Sequence, residues 1–289
     1  AHPSAQPAER DRRKGRRGRG AAGQARGIAR GLRTRAIMAM GDAFTPQTWA
    51  IIGLVFFVAG LVKGVVGLGL PSVAVGLLSV TVGLKPALAL LVMPSFFTNV
   101  WQALAGTALG MILQRTWPMM LMILAGTWGG VWLLARLDAK VLAIILGATL
   151  IGYAAMGFMR PALPHPGRYE RVLSLPVGLV HGIVAGMTGS YIPAVPFLQS
   201  LGLSKDVLVQ AMGVVFTLST IALAVALADQ RLLSPALMTA SAGAVLPALA
   251  GMYAGQMVRQ KLSEVHFRQA LLCALMALGC YIIVRAKVG

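Results

Sequence analysis

Two ionisable side chains occupy matching positions in a short sequence that occurs twice. Lys63 is the fourth residue of Gly60–Gly64 and His181 the fourth residue of Gly178–Gly182, and both segments read Gly-Leu-Val-(Lys or His)-Gly. Each lies deep in an apolar run, where an ionised group costs at least about 2.5–3.5 kcal/mol in a bilayer. Two cations at equivalent positions indicate an anion-binding site. Because histidine titrates near neutral pH, His181 also indicates coupling to protons.

A structural explanation competes with this functional one. Lys63 could bury its stem and extend its amine towards the membrane surface, and His181 could be a neutral, hydrogen-bonded residue of the helix interior. Their shared place in the repeated sequence favours the functional interpretation. Both side chains are therefore predicted to bind the substrate.

The same two segments are rich in glycine and end in proline. Gly60–Pro71 and Gly178–Pro193 each contain four glycines, at a spacing that tightens towards the proline. Small residues every four positions let helices pack closely, which explains part of this pattern. Proline removes a donor and clashes with the preceding turn, so each helix is predicted to break. Half-helix N-termini and freed amides can bind an anion. The amides predicted to be exposed are those of Gly67, Gly69, Gly186 and Gly189.

Hydroxyl groups near the breaks could satisfy an oxyanion without adding charge. Ser190 follows the second break, and Thr98 and Thr217 are equivalent positions in the helices after the two breaks. We predict all three as substrate ligands, although a single hydroxyl in a membrane helix more often joins helices. Cys273 and Cys280 are too far apart to chelate a metal together, and neither a metal nor a cofactor is expected.

Carboxylates are missing from the middle of the apolar runs. They lie instead at run ends or in the segment between the halves: Asp138, Glu170, Asp206, Asp229 and Glu264. Cation transporters and many proton pumps place acidic groups inside the membrane. This distribution disfavours a cation substrate and a carboxylate proton relay.

The composition indicates which elements position these residues. The 289 residues are 57% hydrophobic and only 12% charged, whereas a soluble domain is about a quarter charged. After Asp42 the chain consists largely of charge-free apolar runs, several as long as the roughly 20 residues that cross a bilayer. Barrel strands would alternate apolar and polar residues, and runs such as Val141–Gly147 do not. The prediction is an all-α polytopic protein of a cell inner membrane.

The first 41 residues differ from the rest. They hold 11 Lys and Arg against two acidic residues, or half of the net charge of +18, with little bulky apolar content. Such a segment is predicted to be disordered, either a gene-model extension upstream of Met38 or Met40 or a basic tail at the anionic leaflet. No aromatic residue interleaves Arg10–Arg19, which disfavours nucleic-acid binding through stacking.

The membrane part is predicted to be an internal repeat. Gly178 lies 118 residues after Gly60, and Gly251 of Gly251-x3-Gly255 lies 125 residues after Gly126 of Gly126-x3-Gly130. We predict a first repeat over 42–160, a linker over 161–171 and a second repeat over 172–289, each of about four helices with a glycine-broken first segment. If each broken stretch crosses once, the protein has eight spans and the repeats are parallel. If it folds back as a hairpin, each half has three crossings and the repeats are inverted.

The glycine segments, their prolines and the late Gly-x3-Gly helices resemble those of the sulfite exporter TauE/SafE family of bacterial permeases. The resemblance covers about 45–285, with Leu68, Leu70, Met187 and Thr188 interrupting the longer glycine run typical of the family. It implies a permease for sulfite or an organosulfonate. Together with the two cations, it predicts a secondary transporter of a small anion rather than an enzyme.

Two other functions are weighed against transport. An anion channel would use the same cations. An intramembrane serine hydrolase would use Ser190 with His181 or His266, but the first half offers no serine at the equivalent place and hydrolysis needs no repeat.

Overall fold

The computed structural model describes residues 45–159, 164–259 and 264–288. The chain divides into two compact units, Ala1–Trp49 and Ala50–Gly289. Of the first unit, residues 45–49 are described, and they include the start of the first helix. The segment 1–41, predicted to be disordered, lies outside the described ranges, and so do residues 161–163 of the predicted linker.

Helices form all the regular structure of the described residues. They are α1 (Pro46–Val66), α2 (Leu70–Thr81), α3 (Leu84–Leu104), α4 (Leu109–Arg136), α5 (Ala139–Met159), α6 (Glu170–Thr188), α7 (Ala194–Ser200), α8 (Lys205–Asp229), α9 (Pro235–Gly243), α10 (Val245–Arg259) and α11 (Glu264–Val288). Eight segments are long and apolar enough to cross a membrane, with α9 and α10 counted together and the short α2 and α7 left out. The prediction of an all-α polytopic membrane protein is confirmed.

Both predicted breaks are present. After α1, Gly67 and Gly69 adopt φ values of 85° and 105°, which L side chains rarely reach, and Pro71 lies in the first turn of α2. After α6, Gly189 has φ 68° and ends the helix in a left-handed cap, and Pro193 precedes α7. Left-handed glycine ends a helix at little steric cost, and proline suits the first turn of the next.

Glycines join each broken helix to a helix of the other half. A Cβ added to Gly182 of α6 would lie 2.5 Å from the Ile123 carbonyl oxygen and 2.9 Å from the Gly126 Cα of α4. A Cβ on Gly64 of α1 would lie 2.9 Å from the Gly255 Cα of α10. The Gly-x3-Gly pairs of α4 and α10 thus receive α6 and α1 at backbone contact, as small residues in membrane helices allow.

The order in which residues of two helices contact each other gives the relative direction of the helices. Lys63 of α1 contacts Asn99 of α3, and Gly67, four residues later, accepts from Gln102. The two helices therefore run in the same direction, so the short α2 between them returns towards the side where α1 began. With 12 residues it spans about 18 Å, less than the roughly 30 Å of a bilayer core.

The two halves run in opposite directions. Ser95 of α3 contacts Thr220 of α8, whereas Gln102 of α3 donates to the Val209 carbonyl. The helices that follow the two breaks are therefore antiparallel. Neither alternative holds as stated: eight segments are long enough to cross, as the parallel alternative requires, but α3 and α8 run in opposite directions, as the inverted alternative requires. Each half has four long segments and one short helix, α2 of 12 residues in the first and α7 of seven in the second. An inverted internal repeat fits these directions and stays a prediction, as do the predicted repeat boundaries.

A proline inside α3 shows how the helices compensate for lost backbone bonds. Pro94 has no N–H group, so the Leu90 carbonyl loses its usual helical donor. The Ser241 hydroxyl of α9 donates to that carbonyl at 2.8 Å. A side chain from the other half therefore stabilises the proline-containing turn.

The glycine contacts lead to a stability prediction. Gly130→Ala should lower thermal stability, because its Cβ would lie 3.0 Å from the Gly186 Cα, and overpacking typically costs about 1–3 kcal/mol. Gly129→Ala, on the same helix with nothing within 4 Å, is the matched control. Thermal unfolding in detergent measures both, and equal melting temperatures would contradict close packing of α4 on α6.

Candidate functional site

Lys63 is buried where α1 meets α3. Its side chain is 4% exposed. Its Nζ donates to Thr98 Oγ1 at 3.2 Å and to Asn99 Oδ1. Among the described residues no carboxylate pairs with it. The alternative of an amine extended towards the surface is therefore wrong, and α1 holds a buried amine among neutral ligands, next to the break at Gly67.

The contacts of Lys63 continue across the protein to the second break. Asn99 Nδ2 donates to Ser95 Oγ at 3.0 Å and to Thr220 Oγ1 at 3.4 Å. Thr220 Oγ1 in turn lies 3.0 Å from the hydroxyl of Tyr191. Tyr191 lies two residues after Gly189, in the second break. All of these side chains are buried. One continuous polar network thus connects both broken segments through α3 and α8.

The two breaks also touch directly. Ser72 Oγ, in the first turn of α2, lies 3.3 Å from Ser190 Oγ. The two serines are 118 residues apart, whereas the predicted repeat has an offset of 119 residues at this point, as between Gly67 and Gly186. The repeat therefore does not align Ser72 with Ser190. The contact joins the two breaks in space.

His181 is positioned as a neutral residue. The Ala194 amide at the start of α7 donates to His181 Nδ1 at 3.2 Å, so this nitrogen carries no proton. Nε2 lies 2.9 Å from Ser219 Oγ, and the ring is fully buried and stacked on Phe216. An imidazolium has two donors and no acceptor. The expectation of a positive charge at His181 is therefore contradicted, and the residue joins α6 to α7 and α8.

Thr98 and Thr217 have different environments despite their equivalent positions. Thr98 is fully buried against Lys63, whereas Thr217 is only half-buried and its hydroxyl donates to the Gly213 carbonyl of its own helix. Ser219, and not Thr217, lies next to His181. The two residues are two positions apart on α8, which separates their side chains by about 200° around the helix axis.

The backbone amides of three predicted glycines are already bonded. Gly67 donates to the Lys63 carbonyl at 2.7 Å and Gly189 to the Ala185 carbonyl at 2.8 Å, which completes the last turn of each helix. Gly186 lies inside α6 and faces α4, where a Cβ would lie 2.5 Å from the Thr127 carbonyl oxygen. The prediction of exposed amides is therefore wrong at these three positions. Gly69 lies in the turn itself, and its carbonyl accepts from Val73.

A cavity of about 410 Å³ opens onto both breaks. Val66 and Leu68 of the first break and Ile192 of the second line its inner part. Three cations line it as well: Lys205, Arg259 and Arg268. Sequence reasoning missed these cations, because Arg and Lys at the ends of apolar runs ordinarily extend to the membrane surface. Their shared helix-end position would have been the available signal.

The arrangement offers no hydrolytic geometry around Ser190. Both His181 ring nitrogens bond to other groups, and the hydroxyl partner of Ser190 is Ser72. In the described ranges there is also no cluster of three or more His, Cys, Asp or Glu that could hold a metal. What the site can do is receive an anion between buried neutral donors and one buried amine.

The tautomer of His181 can be tested directly. We expect a neutral ring with the proton on Nε2 at neutral pH, because Nδ1 accepts the Ala194 amide. NMR of the protein with isotope-labelled histidine measures the tautomer, with His181→Gln to assign the signal. The exposed His165 and His266 provide reference signals. An imidazolium signal from His181 would contradict the geometry.

Comparison with known proteins adds one match. A family model described as "Sulfite exporter TauE/SafE" matches residues 52–282. The matched range contains both breaks, the polar network and every residue that lines the cavity. No curated protein and no solved structure matches the chain.

Proposed function

The chain belongs to the sulfite exporter TauE/SafE family, and from this premise we propose that it is a secondary transporter of a small anion, sulfite or an organosulfonate, in the cell inner membrane. The observation that carries the proposal is Lys63. A buried amine whose hydrogen-bond partners are neutral has no counter-charge when it is protonated, and Lys63 lies four residues before the first break at Gly67. An anionic substrate would supply the missing counter-charge.

The neighbours of Lys63 suit an oxyanion. Thr98 and Asn99 already hold the amine, so it needs little reorganisation to bind an anion. Thr220 and Tyr191 add hydroxyl groups on the side of the second break. Charge-assisted hydrogen bonds are roughly twice as strong as neutral ones. We assign substrate binding to these four side chains and Lys63, and any proton coupling to Lys63 rather than His181.

The cavity supports a route to this site from one face. Its three cations, Lys205, Arg259 and Arg268, would raise the local concentration of an anion, as a cleft lined by one sign of charge does. On the other side of the breaks the packing is tight. A Cβ on Gly189 would lie 2.6 Å from Leu88 Cδ2 and 3.1 Å from Leu91 Cδ2. Access from one face and closure at the other favour a transporter over a channel.

The helix packing supports a mechanism of alternating access. The glycine contacts make α4 with α6, and α1 with α10, two tightly packed pairs. Such pairs would move as rigid bodies and open the breaks to each face in turn, as repeats rock against each other in secondary transporters. This mechanism needs no catalytic residue.

Replacing Lys63 tests the binding site. Lys63→Met should reduce sulfite transport in proteoliposomes by about tenfold or more, since a hydrogen bond to a charged group contributes about 1.5–3 kcal/mol. Lys287→Met removes an exposed lysine from the end of α11 and is the matched control. Methionine retains most of the buried volume, and thermal unfolding of the variant shows whether the fold tolerates the loss of the hydrogen bond to Asn99. Unchanged transport by Lys63→Met would remove Lys63 from the site.

The entrance cations predict a separate kinetic effect. Arg268→Gln should raise KM for sulfite several-fold with a smaller change in kcat, because it weakens the approach of the anion and leaves the inner site intact. The rise should shrink at high salt, where charges are screened. A several-fold fall in kcat at unchanged KM would contradict an entrance role for Arg268.

Accumulation separates a transporter from a channel. With a proton or ion gradient imposed and the membrane potential held at zero by an ionophore, labelled sulfite should accumulate in proteoliposomes beyond its external concentration. At zero potential a channel only equalises the anion concentration on the two sides. Liposomes that hold the Lys63→Met protein are the control for leak.

A further inference from the structure

A second cavity, of about 720 Å³, lies at the opposite end of the helices from the first. It is enclosed by the end of α2, the start of α3, the start of α5 and the end of α11. The residues that decide its chemistry are Ser79, Lys85, Lys140, Ala143, Leu146 and Arg285. None of the residues that line it belongs to either break, so the cavity is separate from the proposed substrate site.

Of the described residues that line this cavity, three are cations and none is a carboxylate. Lys85 Nζ donates to the Ala135 carbonyl at 3.5 Å, and Arg285 Nη1 donates to the Val80 carbonyl at 3.1 Å. These bonds anchor the two side chains at the ends of α4 and α2. A lysine has three donors and an arginine five, so most of their donors are left for another acceptor. Lys140 is exposed at the start of α5. The nearest acidic residue in sequence, Asp138, does not line the cavity.

One wall of the cavity is apolar, and the helices that form it lie at the periphery of the protein. Leu142, Ala143 and Leu146 of α5 face Ile282 of α11 across it. The α11 span is only 28% buried and the α5 span 33%, compared with 67% for α3 and α8. The pair of α5 and α11 therefore lies against the lipid. An acyl chain in the bilayer would meet this wall at Ala143, which is half-buried, without crossing water.

The cations lie at the level of the membrane surface. Ala135, the partner of Lys85, is in the last turn of α4, where the Arg136 guanidinium lies 4.1 Å over the exposed Trp132 ring. Tryptophan and arginine at a helix end mark the boundary between hydrocarbon and headgroups. The cavity thus combines a headgroup-level charge cluster with an acyl-level apolar wall.

We propose that this cavity binds an anionic phospholipid, with the phosphate held by Lys85, Lys140 and Arg285 and the acyl chains lying along α5 and α11. Basic pockets between membrane helices recognise such headgroups. The lipid would bridge α2, α5 and α11 and so stabilise the half-length return helix against the peripheral pair. The proposal is independent of what the protein transports.

The test is lipid retention by the purified protein in a neutral detergent. Native mass spectrometry and thermal unfolding are followed with phosphatidylglycerol, with phosphatidylcholine and with inorganic phosphate. Phosphatidylglycerol should remain bound and raise the melting temperature, whereas phosphatidylcholine and phosphate should do neither. Equal retention of phosphatidylcholine, or equal stabilisation by inorganic phosphate, would overturn the proposal in favour of a non-specific lipid surface or a free-anion site.

Two variants locate the binding. The triple change Lys85→Gln, Lys140→Gln and Arg285→Gln should weaken phosphatidylglycerol retention by about tenfold or more. The control Arg231→Gln with Lys287→Gln removes cations that do not line the cavity and should retain the lipid. Ala143→Phe keeps all three cations and fills the apolar wall, so it should also release the lipid. If the triple variant or Ala143→Phe folds and retains the lipid like the wild type, the assignment is wrong.

Discussion

Backbone groups that leave a helix inside a membrane have no water to bond with, so the protein must supply every partner. Each break in this chain meets that requirement with its neighbours. Gln102 of α3 donates to the Gly67 carbonyl, and His181 accepts the Ala194 amide at the start of α7. The remaining amides at Gly67 and Gly189 close the helices that precede them. The first role of the polar residues around the breaks is therefore to stabilise the broken backbone.

Close helix packing is what brings these partners within reach. Gly60 and Gly64 place α1 against α10, and Gly178, Gly182 and Gly186 place α6 against α4 at backbone contact. Larger residues would move each broken helix outwards. This outward movement would separate Lys63 from Asn99 and His181 from Ser219. Glycine at these positions would thus support the proposed binding site indirectly, by setting the distance between helices and not through its own amide.

The sequence predicted the features that depend on local chemistry and missed those that depend on contacts. Glycine spacing with proline identified both breaks, and the depth of Lys63 in an apolar run identified its burial. The equivalence of Lys63 and His181 misled, because the role of an imidazole depends on which atom faces it, here the Ala194 amide. The cavity cations escaped notice because Arg259 and Arg268 come together only through the fold. The relative directions of the helices could not be predicted from the sequence either, and they follow from the contacts between α3 and α8.

The contact between Ser72 and Ser190 has a geometric consequence. The two hydroxyls join the first turn of α2 to the residue that follows Gly189, so each break holds the other in place. Either hydroxyl can be the donor in this pair, so the bond persists when donor and acceptor exchange roles. A rearrangement that moved one of the serines would have to carry the other with it or break this bond.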